Sequence, residues 1–109
     1  MRPPALGAMR HRLTLQSPQD TADEIGGAAR IYTNFAQVWA AIEPLSGTRL
    51  WQSQQAEQQI SHRITIVFRA DVSGDLRFIL GSRIFEIKAA FDPDETGRFL
   101  VCDCWEVKP

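Results

Sequence analysis

Alternation is the feature that most constrains this chain. From Ile60 to Arg69 one side carries Ile60, His62, Ile64, Ile66 and Phe68, and the other carries Ser61, Arg63, Thr65, Val67 and Arg69. A period of two with β-branched residues is the pattern of a strand with one buried face. The same pattern recurs on both sides of it. Leu13 and Leu15 alternate with Arg12, Thr14 and Gln16, and Leu76, Phe78 and Leu80 alternate with Arg77 and Ile79. Phe85, Ile87, Ala89 and Phe91 share one face of a further strand, and Arg98 to Val107 reads as the last. Arg30 to Leu45 is a long extended stretch. Val38, Ala40 and Ile42 lie on one face and Trp39, Ala41 and Glu43 on the other, so this strand is expected to be covered on both sides.

Turn chemistry punctuates these runs. Asp71 to Asp75 contains Ser73-Gly74, Gly81-Ser82 has the length of a two-residue hairpin connection, and Asp92-Pro93-Asp94-Glu95-Thr96-Gly97 forms a longer turn. Ser17 to Ala29, with Asp20, Asp23 and Glu24, lacks apolar periodicity and reads as a long mobile acidic loop, a type of segment that tends to be functional. Ser46 to Gln59 changes character again. Ser46 is a possible helix cap, and the run is dominated by Gln52, Gln54, Gln55, Gln58 and Gln59 around Leu50 and Trp51. A short polar helix or ordered loop is expected there. The expected fold is therefore all-β: a small six-stranded β-barrel or sandwich with a short helical or loop insertion. Closure is favoured because it removes exposed strand edges. The domain reading is a flexible N-terminal arm over 1–9, set by Pro3-Pro4, and a single β domain over 10–109.

Composition then narrows the function. A chain of 109 residues is one domain, and a net charge of −1 is wrong for a polyanion binder, which shows a basic excess. No stretch approaches a membrane span, and the first nine residues are too short and too weakly apolar for a signal peptide, so the chain is expected in the cytoplasm without a membrane partner. Cys102 and Cys104 fall on one strand face, a poor geometry for a mutual disulfide, and neither histidine stands at zinc-finger spacing from them. Two small buried apolar residues are the expectation. His62 reads as a core-edge histidine held by a hydrogen bond, and His11, between two arginines, has no nucleophile beside it in sequence. Asp92, Asp94 and Glu95 lack the ligand spacing of a calcium loop and read as turn residues. Gly26-Gly27 has no lysine at phosphate-loop spacing. Arg63, Arg69, Arg77 and Arg83 are expected as a strip on the outer sheet face, facing acidic groups of neighbouring subunits rather than DNA. No catalytic residue, cofactor site or metal site emerges, and the chain does not read as an enzyme.

Four phrases in fixed order add a resemblance. They are Arg10-His11-Arg12-Leu13-Thr14-Leu15-Gln16, Val38-Trp39-Ala40-Ala41-Ile42-Glu43-Pro44-Leu45-Ser46-Gly47, His62-Arg63-Ile64-Thr65-Ile66 and Gly81-Ser82-Arg83-Ile84-Phe85-Glu86-Ile87-Lys88-Ala89. Their order and spacing resemble the tailed-phage head-tail joining family, also called head closure or stopper proteins, from about Arg10 to Glu106. The resemblance implies a small barrel that forms a ring, commonly sixfold, between the portal and adaptor on one side and the tail terminator or tail tube protein on the other. It retains packaged DNA, which passes through the lumen without sequence-specific binding. The place implied is the neck of a virion, a prophage-encoded particle or a gene transfer agent. The segment from Ser46 to Gln59 is implied to project into the channel, making Arg49, Trp51, Gln52, Gln54, Gln55 and Gln58 the channel or gate candidates. Asp20, Asp23, Glu24 and Trp51 are the inter-ring interface candidates. The alternatives are another ring component such as a tail terminator, or an OB-like nucleic-acid-binding barrel with Tyr32, Phe35 and Trp39 as stacking residues.

Overall fold

Six strands form where the alternation places them: β1 (His11–Ala22), β2 (Ala28–Pro44), β3 (His62–Val67), β4 (Arg77–Leu80), β5 (Arg83–Phe91) and β6 (Phe99–Val107). The computed structural model describes residues 9–22, 28–45 and 60–107, with the side chains of 20–22 and 28–30 excepted. The expected helical insertion over Ser46 to Gln59 lies outside the described residues, and so does the expected arm over 1–9 apart from Met9, which is buried.

The strands close into an antiparallel barrel in the order β1-β2-β3-β6-β5-β4. Three pairs, Thr14 with Ile79, Leu15 with Phe78 and Gln16 with Arg77, join the last strand back to the first. Inward positions form the core: Leu13 and Leu15 from β1, Ile64 and Ile66 from β3, Phe78 from β4, Phe85 and Ile87 from β5, and Cys102 and Cys104 from β6. Each large side chain among them contributes about 1.5–3 kcal/mol by leaving water.

Two bulges reset the alternation. On β2, Leu15 pairs with Ala36 but Gln16 with Asn34, leaving Phe35 as an extra residue. On β5, Ile87 pairs with Cys104 but Ala89 with Asp103, leaving Lys88 extra. The second bulge corrects the expected face of β5. Beyond Lys88 it is Ala90 that packs on the core, while Phe91 turns outward and is 39% exposed. Gly74 sits where that bulge comes close: a Cβ there would lie 3.3 Å from the Lys88 carbonyl oxygen. Gly81 adopts φ +60° in the two-residue turn between β4 and β5, the type II′ pattern that calls for glycine at the first central position.

Of the stretch expected as an acidic loop, Ser17 to Ala22 and Ala28-Ala29 are instead strand, and residues 23–27 lie outside the described residues. β1 and β2 remain paired residue by residue as far as Ala22 with Ala28. Only the first part of β1 belongs to the barrel, because β4 pairs with it no further than Gln16. β3 likewise pairs with β2 only from Ala40 to Pro44. The remainder is a two-stranded ribbon extending from the barrel by about six residues, or roughly 20 Å. Its sequence lacks apolar periodicity because neither of its faces lies over the barrel core. Nor is β2 covered on both sides within the barrel: Val38 and Ala40 face the core, while Trp39 between them lies on the outer face and is 54% exposed.

Candidate interaction surfaces

At the end of the barrel that holds the start of β3 and the end of β6, inward positions become polar. Ser61 Oγ accepts the Glu106 backbone N–H at 2.7 Å and lies 2.8 Å from His62 Nδ1. The His62 ring meets Phe85 edge to face at 5.1 Å. Glu106 takes a two-pronged ion pair from Arg83, Nε to Oε2 at 2.9 Å and Nη2 to Oε1 at 3.2 Å. The hydrogen bond to Glu106 raises the Arg83 pKa above its ordinary value. Serine, histidine and carboxylate thus stand together, but not as a nucleophilic relay. The His62 Nε2 to Glu106 Oε1 separation is 3.8 Å, beyond hydrogen-bond reach, and Ser61 Oγ is tied to a backbone amide. The geometry makes this cluster a polar plug that satisfies the barrel end. His62 is the hydrogen-bonded core-edge histidine its alternation suggests.

The four arginines expected as an outward strip are spent within the chain. Arg63 pairs with its cross-strand neighbour Asp103 at 2.8 Å. Arg69 pairs with Asp71 at 2.9 Å, and Arg83 with Glu106. The Arg69 hydrogen bond holds the Asp71 carboxyl below its usual range. Arg77 donates to Gln16 at 2.7 Å and stacks 3.6 Å from the Tyr32 ring centroid. Sequence distance hid these partners, because each except Asp71 comes from another strand.

Arginine also accompanies the other aromatics of β2. Arg69 lies over Phe35 at 6.0 Å and Arg12 over Trp39 at 5.8 Å. With Tyr32 covered at van der Waals distance, the three aromatics do not form a run of open faces on which bases could stack. The exposed apolar surface lies instead where β3 separates from β2. Trp39, Val67 and Phe68 are 54%, 55% and 38% exposed. With Val38 and Arg69 they wall a cleft of about 250 Å³. Alternation alone put Phe68 on the buried face; it falls beyond the end of β3 and turns out.

The remaining sequence candidates resolve simply. Asp92 organises its turn, its carboxylate accepting the Gly97 N–H at 2.7 Å and the Asp94 N–H at 3.3 Å. Glu95 and Gly97 take the left-handed conformations, φ 56° and 74°, that complete it. Cys102 and Cys104 are free thiols with no exposed surface; burial pushes Cys102 up to about 12 and Cys104 well above its ordinary value. Among the described residues no three His, Cys, Asp or Glu side chains could hold a metal ion, and no helix is long and apolar enough to cross a membrane. Asp20 stands in the ribbon portion of β1. Asp23 and Glu24, and the whole gate set Arg49, Trp51, Gln52, Gln54, Gln55 and Gln58, lie outside the described residues.

A closed antiparallel barrel with paired surface charges and an exposed apolar seam is the outline of an assembly module. The chain belongs to the phage head completion protein family, whose family model matches residues 4–108. It is thereby a structural protein of the phage head-tail region. No curated protein matches it. Solved structures that share the fold include the following two. Protein SF1141 from Shigella flexneri 2a superposes with a TM-score of 0.73 at 24% identity, over 93% of this chain and 95% of that one. A chain in the virion of a native gene transfer agent particle superposes with a TM-score of 0.69 at 25% identity, over 97% of this chain and 98% of that one.

Proposed function

We propose that this protein forms the ring that closes the filled head of a phage or gene transfer agent particle and receives the tail. The observation that carries the reading is the family match over residues 4–108, joined by the likeness to a chain within a gene transfer agent virion. Physical features support it. Pairing of Arg63, Arg69 and Arg83 with carboxylates leaves the outer wall poorly suited to gripping phosphates, as a passive DNA conduit requires. The exposed seam of Trp39, Val67 and Phe68 is of the kind that protein partners cover. The ring sits between the portal or adaptor and the tail terminator or tail tube protein, and the protein waits in the host cytoplasm until the head is full. The segment from Ser46 to Gln59 is its gate: glutamine-rich and nearly uncharged, it neither holds nor repels DNA strongly. Asp20, Asp23, Glu24 and Trp51 face a neighbouring ring.

Electron microscopy of particles made with the gene deleted tests the reading. DNA-filled or leaking heads beside finished, separate tails are expected; normal tailed particles would remove it. For the gate, alanine at Gln52, Gln54 and Gln55 is expected to increase DNA loss from heads, and unchanged retention would count against it.

A further inference from the structure

The longest strand edges without a strand partner, among the described residues, lie on the ribbon and at its base. Among the described residues, β1 from Ser17 to Ala22 has no strand partner but β2, and β2 from Ala28 to Trp39 has none but β1. A two-stranded ribbon is marginal in water on its own, and native edge strands are ordinarily blunted by charge or proline, or covered. The β1 edge carries Pro18, which withholds one donor. The β2 edge carries no such device. Its residues Ile31-Tyr32-Thr33-Asn34-Phe35-Ala36-Gln37-Val38-Trp39 include no charge and no proline. Ile31 is 53% and Phe35 40% exposed, and the apolar cleft opens at the Trp39 end, where β3 leaves off. This stretch has the composition of a paired strand and lacks a partner on one side.

We propose that the β2 edge is a strand-pairing interface between copies of this chain: β2 of one subunit takes the open β1 edge of the next. The inference rests on the ring reading above. Three observations select this occupant. The β1 edge from Ser17 to Ala22 is the longest other open edge that a second copy offers among its described residues; β5 lacks a strand partner on its β4 side only from Ile87 to Phe91, and Ile87 there donates to the Leu76 carbonyl. Direction also fits. β1 runs antiparallel to β2 within each ribbon, so rotation about an axis along the ribbons brings the β1 edge of the next copy antiparallel to β2, as in the hairpin itself. Such a head-to-tail contact repeats until a ring closes, whereas pairing β2 with β2 across a two-fold stops at a dimer. Charge is compatible as well. Ile31 to Trp39 and Ser17-Pro18-Gln19 are neutral, and the charged residues next to them on the two edges, Arg30 and Asp20, are opposite in sign.

Cross-linking between copies tests this. Gln19 and Ile31 are exposed and face each other within one ribbon, so they are placed in separate chains: Gln19→Cys and Ile31→Cys variants, co-expressed and assembled into particles. A bismaleimide reaching about two strand spacings, roughly 10 Å, then reads contacts between copies. The buried native thiols give the background. The mixed Gln19→Cys with Ile31→Cys dimer is expected to exceed the Ile31→Cys homodimer at least tenfold. A dominant Ile31→Cys homodimer would overturn the proposal in favour of two-fold pairing. Absence of both species, in particles whose neck ring is visible by electron microscopy, would overturn it while leaving the ring reading intact. Particles with no such ring would remove both. Hydrogen exchange on the unsubstituted protein supplies a second readout: those amides of β2 from 28 to 33 that face away from β1 are expected to exchange at least tenfold more slowly in particles than in the isolated chain, and equal rates would contradict the inference.

Discussion

At the scale of single residues, stability concentrates in a few inward side chains. Phe78 and Phe85 are register partners on β4 and β5 with no exposed surface. Replacing either by alanine is expected to cost about 3–5 kcal/mol in urea unfolding, through lost transfer energy and the cavity left behind. Ion pairs divide by exposure. Arg83 holds a Glu106 side chain that is 14% exposed, so Arg83→Ala is expected to cost about 1–3 kcal/mol. Arg98, 66% exposed beside Asp94, is expected to show less than about 0.5 kcal/mol on the same change. The buried thiols give a pH dependence with a definite sign. Their folded-state pKa values lie above the ordinary 9.0, so the neutral thiol is favoured by folding. The stability they contribute is complete below pH 9.0 and declines as pH rises toward about 12, because the unfolded chain can release those protons first. Alkaline unfolding of a Cys102→Ala, Cys104→Ala variant should therefore begin at higher pH, relative to its neutral stability, than that of the parent. Identical profiles would contradict this.

At the scale of elements, the turns and bulges aim the strands. The Asp92 carboxylate replaces solvent for two backbone N–H groups, and Asp92→Ala is expected to cost about 0.5–2 kcal/mol in thermal or denaturant unfolding. Gly97, at φ 74°, is expected to lose about 1 kcal/mol on change to alanine, which meets no neighbour there but resists the left-handed conformation. Gly74→Ala tests a different mechanism, since its penalty comes from the Lys88 carbonyl at 3.3 Å rather than from φ. Strand existence was readable element by element because each strand alternates over the barrel core. The bulges at Phe35 and Lys88 were not. A single extra residue leaves no compositional mark, yet it reverses every face beyond it, as Phe91 shows.

At the scale of the whole molecule, closure and protrusion have different consequences. Closing β4 onto β1 completes the barrel and leaves the longest unpaired edges, among the described residues, on the ribbon and at its base. With net charge near zero and the wall arginines paired, the isolated protein is expected to bind duplex DNA weakly, and with a shallow salt dependence. Titrating labelled duplex at low and moderate salt checks this. Tight binding that collapses with added salt would revive the nucleic-acid-binding barrel and weaken the conduit reading.

The sequence by itself determined the all-β class, the six strands, the main turns and the buried state of the cysteines, because each depends on neighbours two to five residues apart. Together with its ordered phrases it also pointed to the head-tail family, which the match over residues 4–108 bears out. Tertiary structure decided the rest. Ser17 to Ala22 became ribbon because the backbone of β2 from Ala28 to Thr33 supplies its partners far from the core. Arg63, Arg77 and Arg83 are engaged within the chain because their partners Asp103, Gln16 and Glu106 come from other strands. The exposed seam at Trp39 and Val67 exists because β3 pairs with only five residues of a seventeen-residue strand. Such a property belongs to the register between strands, and no one strand's own sequence contains it.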